Sequence, residues 1–276
     1  MNYRETVVVR GGGDLASGVI YRLFQSGYKI FVLDIENPLA VRKNVSFCQA
    51  IYDGSIVIEG VEGVFCKNSE DVNRAHNHNK IPVLIDEEGL SIKKIKPDIV
   101  IDCILAKKNL GTKKNMANIV IGLGPGFEAN RDVHAVIETY TVNNNLSKVI
   151  YEGKASKNTG IPGMVKGYSE ERAFYSPVSG VTKVVKDIGE KVVKGDVLLE
   201  IGNNKVKAPI TGIVRGMIMN GIFIDKNVKI GDIEPRERVD FCYGISDKSR
   251  AIGGGVLEAI LHLQLMNLKK VKQWKQ

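Results

Sequence analysis

The residues best suited to chemistry in this 276-residue chain sit in two glycine-rich turns and one basic loop. In "VVVRGGGDLASG" the spacing G-x-G-x-x-A falls on Gly11, Gly13 and Ala16, with Gly12 between them and Asp14 following. Gly11 permits a tight turn, and Gly13 lets backbone approach a pyrophosphate. Ala16 lets a helix pack on the strand before it, so that the free N–H groups of that helix face the phosphates. Asp34 closes the next apolar run, where an acid can take ribose hydroxyls. Asp14 is unusual there, because a carboxylate repels phosphate; its other use is to cap the helix. These residues point to a nucleotide, and NAD(P) is one candidate among several.

The second turn, "IGLGPGFEANRDVHAVIET", places Gly122, Gly124, Pro125, Gly126 and Phe127 after an apolar run, with Arg131 and His134 beyond. Pro125 fixes one dihedral while the glycines beside it stay free to turn. No Gly-Lys-Ser/Thr follows, so this is no Walker A loop. With Arg131 and His134 nearby it reads as an anion-binding loop. The third, "DCILAKKNLGTKKN", offers Lys107, Lys108 and Asn109. All three leave the carboxyl ends of strand-like runs, the edge that forms the ligand crevice of open parallel sheets. His76 and His78 have H-x-H spacing without a partner carboxylate or cysteine, which reads as loop polarity, so no metal site is expected. No residue constellation names a reaction.

The elements that would position these loops alternate along the first half. Strand-like runs fall at 6–9, 30–34, 56–58, 63–66, 81–85, 98–104 and 118–122. Helical stretches fall near 15–25, 38–50, 69–78, 107–117 and 131–140. This pattern predicts a Rossmann-like α/β unit over residues 1–165 with a mostly parallel sheet. Residues 172–236 carry an internal repeat: "YSPVSGVTKVVKDIGEKVVKGDVLLEI" aligns with "KAPITGIVRGMIMNGIFIDKNVKIGDI", Pro177 on Pro209 and Gly180 on Gly212. Two such halves predict a small all-β barrel-sandwich hybrid of the biotinyl and lipoyl kind. Lys205, the one lysine placed like a carrier's, sits in too short a loop for that role. Residues 237–276 read as a glycine turn, Gly253–Gly255, and a helix packing back through Val256, Leu257, Ile260, Leu261 and Leu265. The three glycines fit either an anion nest or a close backbone crossing.

The bulk composition narrows the function classes. With 43% hydrophobic and 25% charged residues the chain is an ordinary globular protein. Its formal charge of +8 suits phosphates or acidic partners. No nucleic-acid signature accompanies the charge, and the lysines from 269 onward read as a solvated terminus. The cysteines at 48, 66, 103 and 242 form no CxxC pair, against a zinc ribbon, an iron–sulfur cluster or a disulfide framework. No apolar run approaches the length of a membrane span and no leader is legible, which predicts a soluble cytoplasmic protein.

Taken in order, "RGGGDLASGVIYRLFQSGY", "PLAVRKNVSFCQAIYDG", "DCILAKKNLGT", "GLGPGFEANRDVHAVIET", "NTGIPG", "VRGMIMNG", "KIGDIEPR" and "ISDKSRAIGGGVLEAI" resemble the YqeB family. Its members are accessory proteins of the selenium-dependent molybdenum hydroxylase system of anaerobic bacteria. The first half is more distantly similar to the Rossmann-like part of XdhC-type maturation factors. The resemblance implies a maturation factor whose partner is a molybdenum hydroxylase of the xanthine dehydrogenase class. It implies a nucleotide-like ligand such as molybdopterin or molybdopterin cytosine dinucleotide. The pyrophosphate would lie at Gly11–Gly13, with contacts from Gly124–Phe127, Arg131 and Lys107–Asn109. Selenium handling by Cys48 or Cys103 is an alternative within that pathway. Outside it stand an NAD(P)-dependent oxidoreductase and a non-catalytic scaffold docking a hydroxylase.

Overall fold

The computed structural model describes residues 4–141, 144–157 and 163–273, the side chains of 269–273 excepted; most of "NTGIPG" and the basic terminal side chains lie outside that set. The first part of the chain runs β1 (Thr6–Arg10), α1 (Asp14–Gln25), β2 (Lys29–Asp34), α2 (Ala50–Asp53), β3 (Ser55–Ile58), β4 (Val61–Phe65), α3 (Ser69–Asn77), β5 (Ile81–Ile85), α4 (Ile92–Ile95), β6 (Ile99–Asp102), β7 (Ile119–Leu123), β8 (Glu128–Ala129), β9 (Ala135–Ile137), β10 (Val149–Ile150) and β11 (Gly153–Lys154). Nine of these strands form one sheet in the order β10-β9-β7-β6-β1-β2-β5-β4-β3. β1 lies at its centre because Val7, Val8 and Val9 suit a strand buried on both faces. Val7 and Val9 enter one core, and Val8 enters the core of the opposite face.

The remaining elements are β12 (Ala173–Tyr175), β13 (Gly180–Val184), β14 (Lys191–Val192), β15 (Val197–Ile201), β16 (Asn204–Lys207), β17 (Gly212–Met217), β18 (Phe223–Ile224), β19 (Lys229–Glu234) and α5 (Asp247–Gln273). They build two four-stranded antiparallel sheets, β12-β19-β17-β14 and β16-β15-β13-β18, around a core of their own.

Both halves of the expected fold class need correction. The large sheet is mixed, since β3 pairs antiparallel with β4 at one edge and β10 with β9 at the other. Two of its crossovers have no α-helix: residues 107–117 form loop and a single 3-10 turn, and 131–140 contain β9. The stretch 38–50 is likewise irregular chain with two short 3-10 turns, Lys43–Val45 and Phe47–Gln49. Instead of a helix-covered Rossmann layer there is a mixed sheet with irregular segments over its carboxyl edge. No barrel-sandwich domain is shown in the second region. Among the described residues the chain there forms two separate four-stranded antiparallel sheets, each with one two-residue strand, β14 or β18, and with bulges in β15 and β17.

The glycines 253–255 lie inside α5, so they form neither a turn nor an anion nest. A Cβ on Gly253 would stand 2.4 Å from the Gly18 carbonyl oxygen, and one on Gly18 would stand 2.1 Å from the Ser249 carbonyl oxygen. Their absence lets α1 and α5 cross in backbone contact. Ser249 secures the crossing: its hydroxyl donates to the Asp14 carbonyl at 2.6 Å and accepts from the Gly18 N–H at 3.1 Å. Ile252, Val256, Ala259 and Ile260 are buried there, while Leu261 and Leu265, assigned to the same stripe from their spacing, are exposed. Residues 247–268 of α5 are long and apolar enough to cross a membrane by length and composition alone. In this fold the N-terminal half of that stretch packs on α1.

Candidate functional site

Seven parallel strands, β9, β7, β6, β1, β2, β5 and β4, point their carboxyl ends at one edge of the sheet, and a cavity of about 530 Å³ opens there. Its floor is the turn Gly11–Asp14 with the ends of β1, β2 and β6. One wall is the segment 38–42 and the opposite rim is Asp86–Glu88, with Leu105 and Leu110 beside it. The lining is mainly apolar, and the volume suits a ligand of cofactor size.

Each glycine of the turn has a different task. Gly11 has φ +89°, and a Cβ on it would meet the Cys103 carbonyl at 2.9 Å. At Gly12 a Cβ would meet the Cys48 nitrogen at 2.8 Å. Nothing lies within 4 Å of a Cβ placed on Gly13, so that residue alone faces open space. It is also the N-cap of α1 and has no side chain with which to cap it. The first bond from a residue of α1 back to the turn runs from Ser17 N–H to the Gly13 carbonyl, leaving the amides of Asp14, Leu15 and Ala16 without intrahelical acceptors. Asp14 does not cap; its carboxylate lies 3.6 Å from Arg42 Nη1.

Asp34 reaches the cavity but turns inward. Gly12 N–H donates to its Oδ2 at 2.6 Å and Ile35 N–H to its Oδ1 at 2.8 Å. Burial pushes the Asp34 carboxyl above its ordinary value, and these two N–H groups oppose the shift. Beneath it lies a buried network: Arg10 Nη1 donates to Thr112 Oγ1 at 2.5 Å, and that hydroxyl donates to Asp102 Oδ2 at 2.6 Å. Burial also raises the Asp102 carboxyl, against the pull of Thr112, Ile104 and Arg10. Asn109 belongs to this network by structure, because its side chain closes a turn on the Thr112 backbone, with both bonds at 2.8 Å. Lys107 and Lys108 are exposed and do not line the cavity.

The second glycine turn packs against its own protein, away from the cavity. A Cβ on Gly122 would meet the Phe127 ring at 2.5 Å, one on Gly124 the Thr139 hydroxyl at 2.6 Å, and one on Gly126 the Lys108 backbone at 2.9 Å. Phe127 is buried, and Pro125 is not in the cavity lining. Arg131 is committed to Glu128 and Asp132 at the surface, and His134 Nδ1 accepts the Val120 N–H at 2.9 Å. Gly124, Pro125, Gly126, Phe127, Arg131 and His134 therefore lie outside the cavity lined by the first turn, Arg131 at the exposed surface. His76 and His78 form no pair either: each donates a ring N–H to a carbonyl, of Ile30 at 3.0 Å and Arg74 at 2.8 Å.

Two residues the motif reading missed dominate the electrostatics. Arg10 ends β1 and is buried. Arg42 is only 3% exposed, although its segment read as helix, and its Nη2 donates to the carbonyls of Phe241 and Gly244 at 3.2 and 3.0 Å. Burial lowers the Arg42 guanidinium from its usual range and nearby Arg215 adds to this, while Asp14 and Asp232 counter it. The one available signal was an arginine in an otherwise apolar stretch, "PLAVR". Cys48 and Cys103 also reach the cavity. Burial holds both thiols well above the ordinary cysteine range, which keeps them protonated and poorly nucleophilic.

The chain is 43% identical over 270 residues to the uncharacterized protein YqeB of Escherichia coli K12, an alignment that covers 98% of this chain. This stretch belongs to the YqeB family. It spans about half the length of that YqeB relative, 50% of it. No protein-family model matches. Among solved structures, similarity extends to the apo ectoine utilization protein EutE (DoeB) of Ruegeria pomeroyi, at 9% identity over 85% of this chain and 87% of that one, TM-score 0.27. It extends also to an aspartoacylase family protein of Mesorhizobium loti, at 12% identity over 78% and 59%, TM-score 0.23. Overlap this slight assigns no activity to the YqeB stretch.

Proposed function

We propose that the chain is an accessory protein that binds a phosphate-bearing pterin or nucleotide and serves maturation of a selenium-dependent molybdenum hydroxylase of the xanthine dehydrogenase class. The observation that carries the binding half is the cavity at the carboxyl edge, entered by Gly13 and by three helix N–H groups without intrahelical acceptors. The residues fit such a ligand. Leu33, Pro38, Leu39, Leu105 and Leu110 supply apolar walls for a fused ring, and the exposed carboxylates of Glu87 and Glu88 can accept from a ring's N–H edge. The phosphate end belongs at the amino terminus of α1. Molybdopterin and its cytosine dinucleotide both have this division into a donor-rich heterocycle and an anionic tail. The hydroxylase partner rests on the family resemblance.

The protein's own part is to hold and shield such a ligand: the two thiols lining the cavity are buried, and burial holds both well above the ordinary cysteine range. NAD(P) is the competing reading, supported by Asp34 at the end of β2. Native mass spectrometry of the chain purified from a molybdenum-replete anaerobic host decides between them. A retained pterin or nucleotide mass, lost in Gly13→Asp, is the expected result. An apo mass together with a flat calorimetric titration by molybdopterin cytosine dinucleotide would overturn the proposal. Tight NAD(P)H binding would replace it with an oxidoreductase.

A further inference from the structure

We infer that Arg42 and the amino terminus of α1 together form a phosphate-binding subsite, with Asp14 as the internal competitor for the arginine. The inference rests on the ligand-binding reading above and names the group that the cavity recognises at its inner end. Two observations point to the same spot. The amides of Asp14, Leu15 and Ala16 lack intrahelical acceptors, and Gly13 leaves the approach to them open. Arg42 lines the same cavity, and its Nε and Nη1 are buried with no hydrogen-bond partner among the described residues, although its Nη2 is satisfied twice. A buried guanidinium with idle donors is costly unless something anionic completes it.

Asp14 completes it only in part. Its Oδ2 forms an ion pair with Nη1 at 3.6 Å, longer than a hydrogen bond, and its side chain is 35% exposed. A phosphate has several oxygens, so one can take the helix amides while another takes the guanidinium. Arg42 is fixed for this by two anchors. Its Nη2 bonds the carbonyls of Phe241 and Gly244, and the carbonyl of the preceding Val41 accepts from Met217 N–H of β17 at 2.7 Å. The subsite is thus positioned from β17 and the segment that follows β19, while its amides come from α1.

The test is calorimetric titration of the full chain with inorganic pyrophosphate at low ionic strength, on wild type, Asp14→Asn and Arg42→Lys. Pyrophosphate should bind the wild type, and Asp14→Asn should tighten it about threefold or more by removing the competing charge. Arg42→Lys should weaken it about tenfold by losing the planar donor fork. Asp14→Asn alone keeps the inference falsifiable if Arg42→Lys unfolds. No binding to the wild type or to Asp14→Asn overturns the subsite, as does an affinity unmoved by Asp14→Asn. Pyrophosphate binding with this pattern, but no retained pterin or nucleotide, keeps the subsite and sinks the cofactor reading. A retained cofactor indifferent to Asp14 and Arg42 does the reverse.

Discussion

The two glycine turns of the large sheet have similar composition and opposite uses. Gly11–Gly13 and Gly122–Gly126 both follow a buried parallel strand and both contain positive-φ glycines. At the first, the missing side chain of Gly13 opens backbone to a cavity. At the second, the missing side chains of Gly122, Gly124 and Gly126 are filled by Phe127, Thr139 and the Lys108 backbone. Each turn also has its own aspartate. Asp34 is buried and its carboxyl is raised; Asp132 is near the surface, and its hydrogen bonds with Arg131 lower it. The difference shows that glycine marks a close backbone approach without saying whether a ligand or the protein approaches.

Four variants would break or sharpen that contrast. The largest effect is expected from Gly13→Asp. Its φ of −68° and ψ of −177° suit an N-cap aspartate, so the denaturation midpoint should move by no more than about 0.5 kcal/mol, yet ligand retention should vanish in native mass spectrometry. Next is Gly126→Ala, at φ +116° with the Lys108 backbone 2.9 Å away. Chemical denaturation should show a loss of about 3 kcal/mol, and any surviving folded protein should bind ligand as before. Ligand loss without destabilisation would make the second turn a site after all.

The third concerns pH. Because the folded Asp34 carboxyl lies above its ordinary 3.8, its contribution to stability is full below 3.8 and declines as pH rises through the raised value. Asp132 runs the other way, contributing above 3.8 and losing that contribution as pH falls through its lowered value. Asp34→Asn should therefore recover relative to wild type as pH climbs from 3.8, read from denaturation midpoints across that range. A constant difference would mean that Asp34 is not strained by burial. The smallest effect is expected from Arg131→Ala, an exposed ion-pair residue: the denaturation midpoint and ligand binding should both stay as in wild type.

Much of the scaffold could be read directly. The valine run of β1, the helix from Asp14, the strand ending at Asp34 and β5 fall where apolar periodicity places them. So does the first cavity-facing turn, because Gly11, Gly13 and Asp34 are local to one strand–turn–helix–strand unit. The surroundings of the second turn were not legible, because what fills it comes from Lys108 and Thr139, which no spacing rule connects to Gly126 and Gly124.

What the sequence by itself determined was local: which residues turn, which extend, and that the first glycine turn leads into a helix with free amides. Only the tertiary structure decided which turn stayed open, that Gly253–Gly255 serve a helix crossing, and that Arg42 lies in the cavity wall. The physical reason is the same in each case. Glycine patterns and a single arginine specify what a backbone can do, whereas their use depends on the distant group that occupies the adjoining space. For Arg42 those groups are the carbonyls of Phe241 and Gly244, about 200 residues further along the chain.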